Sequence, residues 1–449
     1  VAEFELIQTE AGERLSITGA PPRDFVGKPE DDAMICPLSE QNAAALRRAL
    51  PWTGPVPVGL KKSIGTGDRL GLATPGHISA VKGSGLFPTL AQQSIREMSR
   101  SSRTPQDVMD DVTWAVLRVD YRDGFGSDAD HLKTVEEIDR TIAAGFVGFT
   151  LDPGGYVDND AHTDGYDALQ TKFAALPWDR LDTNPEALKQ RYVGGSPVGE
   201  LTDEVVLRAA AKYGAAVADV VHMARHLTGR MDGQPFDLEV SVDETETPTS
   251  PAEHYFIASE LMRLGVTFHG LAPRFTGRFE KGVDYIGDLD EFEQSFAVHA
   301  RLARELGPYK LSIHSGSDKF SIYPIIAKHC GEYVHVKTAG TSWLEALRVV
   351  AMQNPSLFRE VLAFAIDRYP TDKASYHVSA QLEKIPAEIA DGDLPALFDN
   401  FDARQVLHVT YGSVLDVYRD ALFATLRAHG DAYAQVLKTH FDKHISPFR

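Results

Sequence analysis

Cysteine is nearly absent: Cys36 and Cys330 are the two among 449 residues. Two thiols without CxxC spacing exclude a disulfide-stapled fold and a cysteine zinc site, and they read as ordinary buried thiols. Also missing is any run of 18 apolar residues, so no transmembrane helix is expected. The opening VAEFELIQTE has neither the basic stretch nor the apolar core of a secretory signal, and the chain is expected to be soluble and cytoplasmic. Positive charge is in short supply. The 64 Asp and Glu outnumber the 45 Lys and Arg, for a formal charge of −19. That balance speaks against nucleic acid and anionic membranes as partners and leaves a small molecule, whose own negative charge must meet locally placed cations. The nucleotide and hydrolase signatures are lacking as well, with no GxGxxG behind a strand, no GxxxxGK[ST], no HExxH and no GxSxG. The glycines of GTGDRLGLATPG read as a tight turn.

What the chain does have is alternation. Eight short apolar runs end in polar or glycine-rich residues, and most lead into a helical pattern: Arg69–Thr74, Phe125–Ala129, Val147–Asp152, Phe236–Asp243, Thr267–Pro273, Tyr309–His314, Tyr333–Thr338 and Val406–Tyr411. Trp114–Asp120 competes with Phe125–Ala129 for the second place. Strands alternating with helices predict a parallel sheet with crossover helices, and eight units predict a closed (β/α)₈ barrel of the TIM type. Residues 1–62 read as an N-terminal elaboration, with a helix over Glu40–Leu50 and a Pro/Gly linker at Pro51–Gly59. Residues 63–449 read as the catalytic barrel, carrying a long insertion at 153–200 after the third strand. An insertion of that length has the character of a lid or binding loop. A further stretch, 341–400, holds helices from Trp343 to Tyr369 and then the turn-like DKASYHVSA.

Barrel enzymes carry their reacting groups where the strands end. The second run ends in SDADHLKT, where Asp130 and His131 can supply a base and a metal ligand, although neighbours on a regular strand face opposite ways. The other reading of Asp130 is a helix cap. In FDLEVSVD the polar set Glu239, Ser241 and Asp243 faces inward. Glu239 reads there as an acid, a base, a metal ligand or the partner of an interior lysine. Glu244 and Glu246 fall in the turn that follows. In LAPRFTGRFEKG, Arg274 has the planar fork for a substrate carboxylate, and Glu280 can supply a metal ligand from the loop, unless the two pair with each other. YKLSIHSGSDKF carries His314 inward, with Asp318 and Lys319 in the following turn. YVHVKT repeats the pattern with His335 and Lys337. Lys310, Lys319 and Lys337 make the barrel mouth locally positive, which suits an anionic sugar. His377 and His408 complete the candidate histidines.

The blocks GDRLGLATPGH, FGSDADHLKT, EVSVDET, LAPRFTGRFEKGVDYIGD, LSIHSGSDKFSIYP, HVKTAGTSWLEALRVVA and SYHVSA together resemble the tagaturonate/fructuronate epimerase family of hexuronate catabolism. They run from about residue 65 to 380. The resemblance implies a barrel enzyme that needs a divalent metal and interconverts two keto-acid sugars differing at one hydroxyl-bearing carbon. That carbon lies beta to the ketone, so loss of its hydrogen gives no enolate. Either a retro-aldol cleavage and re-addition or a two-face proton exchange is therefore expected. Asp130 and Glu239 are the expected acid/base pair. His131 and His314, with Glu280 or His335 third, are the expected ligands of zinc, manganese, nickel or cobalt. Arg274, Lys310, Lys319 and Lys337 are the expected substrate-binding cations. The competing readings are a metal-dependent barrel aldolase or aldose–ketose isomerase, and, from another class, a non-catalytic sugar-acid binding protein.

Overall fold

Short strands that are buried on both faces need a closed sheet or flanking helices, and this chain supplies both. The computed structural model describes residues 2–10 and 12–449. Eight parallel strands close into a barrel: β1 (Ser63–Thr66), β2 (Phe87–Ser94), β3 (Gly126–Leu132), β4 (Gly148–Leu151), β5 (Asp237–Val242), β6 (Gly270–Pro273), β7 (Lys310–Ile313) and β8 (Val334–Thr338). β8 returns to β1 with Thr338 opposite Thr66, so no edge is left open. The predicted (β/α)₈ barrel is the fold, and six of the expected runs form its strands.

Two runs do not. Arg69–Thr74 is a turn, because the carboxylate of Asp68 captures the amides of Leu70, Gly71 and Ala73 at 3.0, 2.9 and 2.7 Å and starts the helix Thr74–Val81. Val406–Tyr411 lies across the helix Phe401–Val409, capped by Asn400, and the start of the helix Tyr411–Ala428. Trp114 falls in the helix Pro105–Arg118. The missing strands are SIGT and FPTLAQQS, whose inward Gln92 and small residues hide them from a hydrophobic pattern. A Cβ on Gly65 would lie 1.3 Å from Gln92 Oε1, so the glycine makes room for that amide inside the barrel. With both of these strands ahead of β3, the insertion at 153–200 follows the fourth strand, not the third.

The segment between β4 and β5 is built of short helices, Tyr166–Ala174 and Pro185–Tyr192, a small hairpin, and the 29-residue helix Asp203–Met231. At the N-terminus an antiparallel sheet (Glu3–Thr9, Gly12–Thr18, Lys28–Glu30, Ala33–Cys36) packs Leu15, Ile17 and Cys36 with Phe25, Leu46 and Trp114 in a small core of its own. Among the described residues no helix is long and apolar enough to cross a membrane. The C-terminal helix Gly430–Ile445 returns to the barrel. There His440 bridges Asp318 at 2.5 Å and Glu345 at 3.2 Å, while Arg404 meets Asp318 at 2.7 Å.

Candidate active site

One break in a strand sets up the site. Along β3 the pairing with β4 shifts between Ala129 and Leu132, and His131 takes a left-handed backbone, φ 54°. That bulge lets consecutive side chains, Asp130 and His131, share the C-terminal mouth, where regular alternation would separate them. His314 arrives from the end of β7. Its Nδ1 lies 3.2 Å from Nε2 of His131, and Asp130 Oδ2 lies 3.8 Å from the same His131 nitrogen. Asp243, just past β5, places Oδ1 3.3 Å from His314 Nδ1.

Each histidine is backed by a carboxylate on its other nitrogen. Asp152 Oδ2 is 2.9 Å from His131 Nδ1, and Glu239 Oε1 is 2.6 Å from His314 Nε2. A neutral imidazole has one donor and one acceptor nitrogen, and a carboxylate only accepts. The backing carboxylates therefore call for the N–H on Nδ1 of His131 and on Nε2 of His314, which leaves two lone pairs facing each other. Two nitrogens bound to one zinc at 2.0–2.1 Å lie about 2.9–3.4 Å apart at octahedral to tetrahedral angles, so the observed spacing fits a shared cation. Among the described residues, Asp130, His131 and His314 form one of three groups whose ligand atoms all fall within 4.8 Å of one another. Burial opposes charge on His131, yet Asp130 and Asp152 carry it up to about 9. Burial and Lys337 oppose charge on His314, yet Asp243 and Glu239 carry it up to about 10. The pocket's demand for positive charge is thus met by protons or by a metal.

Lys337 is the internal counter-charge. Its Nζ reaches Asp128 and Asp130 at 2.7 Å, Glu239 at 2.9 Å and Thr150 at 2.8 Å. Burial alone would lower its pKa, but Asp128, Asp130 and Glu239 hold it well above the usual lysine value. Asp130, despite the cost of burial, is kept well below the carboxylate range by that ammonium. Lys337 stays an ammonium, unsuited to forming a Schiff base.

Two adjoining cavities open above the histidines. The smaller, about 50 Å³, is lined by Asp130, His131, His314, Lys337, Arg69 and Lys281. The larger, about 370 Å³, is lined by Asp243, Arg274, Lys281, His314, Tyr376 and Arg96, among others, and has room for a six-carbon sugar acid. Arg274 is half-buried there and makes no ion pair among the described residues. Lys281 donates to Ser315 Oγ at 2.5 Å.

The structure thus brings together Asp130, His131, His314, Glu239 and Lys337, and sets Arg274 on the adjoining wall. The other expected residues do not join this cluster. Lys310 opens β7 at the opposite, N-terminal end of the barrel, 3.1 Å from Ser63 Oγ, and His335 shares that serine at 2.8 Å. Lys319 is fully buried, and its ammonium is spent on the backbone carbonyls of Glu280, Val283 and Ser317. Glu280 lines the larger cavity, but its carboxylate is held by Ser379 at 2.6 Å and Gln405 at 2.8 Å and does not join the histidines. His377 lines the larger cavity and His408, from its helix, the smaller one. Glu244 lies in the expected turn, exposed, and there pairs with Arg96 at 2.7 Å on the cleft wall. Asp152, Asp243 and Arg96 were not assigned roles from sequence. A carboxylate as the last residue of VGFTLD was the available signal for Asp152, whereas Arg96 follows a strand the pattern missed.

The sequence matches the UxaE family, described as tagaturonate epimerase, over residues 9–448. It is 43% identical to a tagaturonate/fructuronate epimerase of Thermotoga maritima over 455 aligned residues, covering 98% of this chain and 93% of that one. The glycerol-complexed crystal structure of the fructuronate-tagaturonate epimerase UxaE of Cohnella laeviribosi superposes with a TM-score of 0.93 at 37% identity, covering 99% of this chain and 93% of that one. The native crystal form of the same protein gives a TM-score of 0.93 at 36% identity over the same shares. The chain belongs to the UxaE tagaturonate epimerase family and is an isomerase.

Proposed function

We propose that the chain interconverts tagaturonate and fructuronate by inverting the hydroxyl-bearing carbon beta to the ketone, with a divalent cation held by His131 and His314. The observation that carries this reading is the pair of carboxylate-backed histidines whose free nitrogens converge 3.2 Å apart beside Asp130, in a chain 43% identical to an epimerase of that name. Asp243, whose Oδ1 lies 3.3 Å from His314 Nδ1, stands beside the same pair of nitrogens. Nitrogen and oxygen donors of this kind suit zinc, manganese, nickel or cobalt. Such a cation supplies Lewis acidity toward the ketone oxygen.

The chain's own residues account for the rest. Asp130, on the cleft wall, takes the proton of the hydroxyl on the carbon to be inverted. The bond from that carbon to its neighbour on the ketone side then breaks, and its electron pair passes into the ketone to leave a three-carbon enediolate. The departing half is a three-carbon aldehyde bearing the carboxylate. Arg274 grips that carboxylate while the aldehyde turns its other face, the bond re-forms, and the proton returns to the new alkoxide. Lys337 keeps Asp130 ionised and fixed between turnovers. Glu239 acts on the site through His314, since it lines neither cavity of the mouth.

The test is turnover of tagaturonate in D₂O by metal-stripped protein reloaded with one divalent metal at a time. Fructuronate with protium retained at the inverted carbon is the expected product. Deuterium at that carbon would replace bond cleavage with proton exchange, and no conversion with any of the four metals would overturn the function.

A further inference from the structure

Asp152 and Glu239 do the same thing from opposite sides. Asp152 follows β4 and accepts from the Nδ1 side of His131. Glu239 lies on β5, below His314, and accepts from its Nε2 side. Both carboxylates are pinned. Asp152 also accepts the Gly154 amide at 2.8 Å and meets Lys133 at 3.2 Å, while its own amide donates to Leu132 at 2.9 Å. Glu239 is held by Lys337 at 2.9 Å and faces Thr150 Oγ1 at 3.4 Å. Neither lines a cavity at the mouth, so neither touches substrate there.

From this geometry we infer that Asp152 and Glu239 are a matched pair of positioning residues, which fix the two imidazoles in opposite tautomers so that His131 presents Nε2 and His314 presents Nδ1 to one divalent cation. The inference rests on the metal-dependent reading above and deepens it. A ring that could flip or change tautomer would offer the cation a protonated nitrogen half of the time, and outer carboxylates of this kind suppress that state. The opposite choice of nitrogen at the two rings follows from their approach, one ring being anchored from the neighbouring strand end and the other from within the barrel.

The test reads metal affinity, by displacement of cobalt(II) with zinc and by chelator competition, on the full-length protein. Asp152→Ala and Glu239→Ala are each expected to weaken binding about 10- to 100-fold. The isosteric Asp152→Asn and Glu239→Gln, which keep an acceptor oxygen, should fall between these and wild type. Asp139→Asn, which alters a surface carboxylate 2.9 Å from His226, should bind as wild type does. The tautomer assignment has its own readout, because an Asn amide reaches the position of an imidazole Nδ1 and a Gln amide that of Nε2. His131→Gln should therefore retain more metal than His131→Asn, and His314→Asn more than His314→Gln. Affinity unchanged in both alanine variants, or the reverse order in the amide series, would overturn the inference. Failure of the wild type to bind any divalent metal would instead overturn the metal-dependent reading itself. Far-UV circular dichroism of the metal-free variants separates loss of affinity from loss of fold.

Discussion

At the scale of single residues, the site is a set of charges that hold one another in place. Asp130 is the carboxylate that lines the smaller cavity beside the two histidines. Asp130→Asn keeps its shape and removes its proton-accepting charge, so kcat should fall about 10²- to 10⁴-fold, as for loss of a general base, in steady-state assays. Among the described residues Arg274 makes no ion pair with a carboxylate. Arg274→Met should raise KM for the uronate and also lower kcat, because the cleaved aldehyde half is no longer held, and should narrow the preference over the corresponding neutral ketohexose. At this scale sequence parity was a good guide to Glu239, His314 and Lys337, because inward-facing polar residues on barrel strands have few other places to be. It was a poor guide to Lys310 and Lys319. Both are buried lysines near the right segments, but Lys310 stands at the wrong end of its strand, and Lys319 turns back onto backbone carbonyls. Parity specifies a face and leaves height and final orientation open.

At the scale of elements, the long reach of the C-terminal helix is the feature with a measurable cost. His440 on Gly430–Ile445 bridges Asp318 and Glu345, both buried, and Asp318 adjoins Lys319, which clips the carbonyls of the loop carrying Lys281. His440→Ala removes one partner from each of two buried carboxylates, which keep Arg404 and Arg348, and should cost about 1.5–3 kcal/mol in urea unfolding, with a raised KM from the loosened loop. None of this clasp could be read from periodicity, since it joins residues up to 122 positions apart. The strands themselves were legible where apolar residues alternate, as in VHVKT and DLEVSV. They were hidden where the barrel needs small or amide side chains, as at Gly65 and Gln92. RLGLAT and VLHVTY looked like strands because a short apolar run carries no sign of the Asp68 turn or the Asn400 cap that decides its conformation.

For the molecule as a whole, histidine burial sets the acid limit. Burial keeps His77 and His299 at about 4 and His335 and His444 at about 3, and it holds His254 and His408 well below 6.5. The unfolded chain takes up protons at these positions below pH 6.5 while the folded chain does not. Stability therefore falls as pH drops, by about 1.4 kcal/mol per pH unit for each such group down to its folded value. His131 and His314 have the opposite sign. Their contribution to the metal-free protein is fully present below pH 6.5 and is lost as pH rises through about 9 and about 10. They cannot blunt the acid loss. Urea unfolding of the metal-free protein at pH 7, 6 and 5 should show this steepening, and His299→Phe should flatten it by about one group's share.

Lys337 gives the barrel's interior a cation of its own. Three carboxylates converge on one ammonium that the chain itself supplies, so folding does not wait for an ion to arrive, unlike small domains whose metal is their core. On the metal-dependent reading, the cation is acquired, exchanged or lost by a finished barrel. Chelation should accordingly abolish turnover while leaving a cooperative thermal transition and the far-UV spectrum intact, and adding metal back should restore activity without a refolding step.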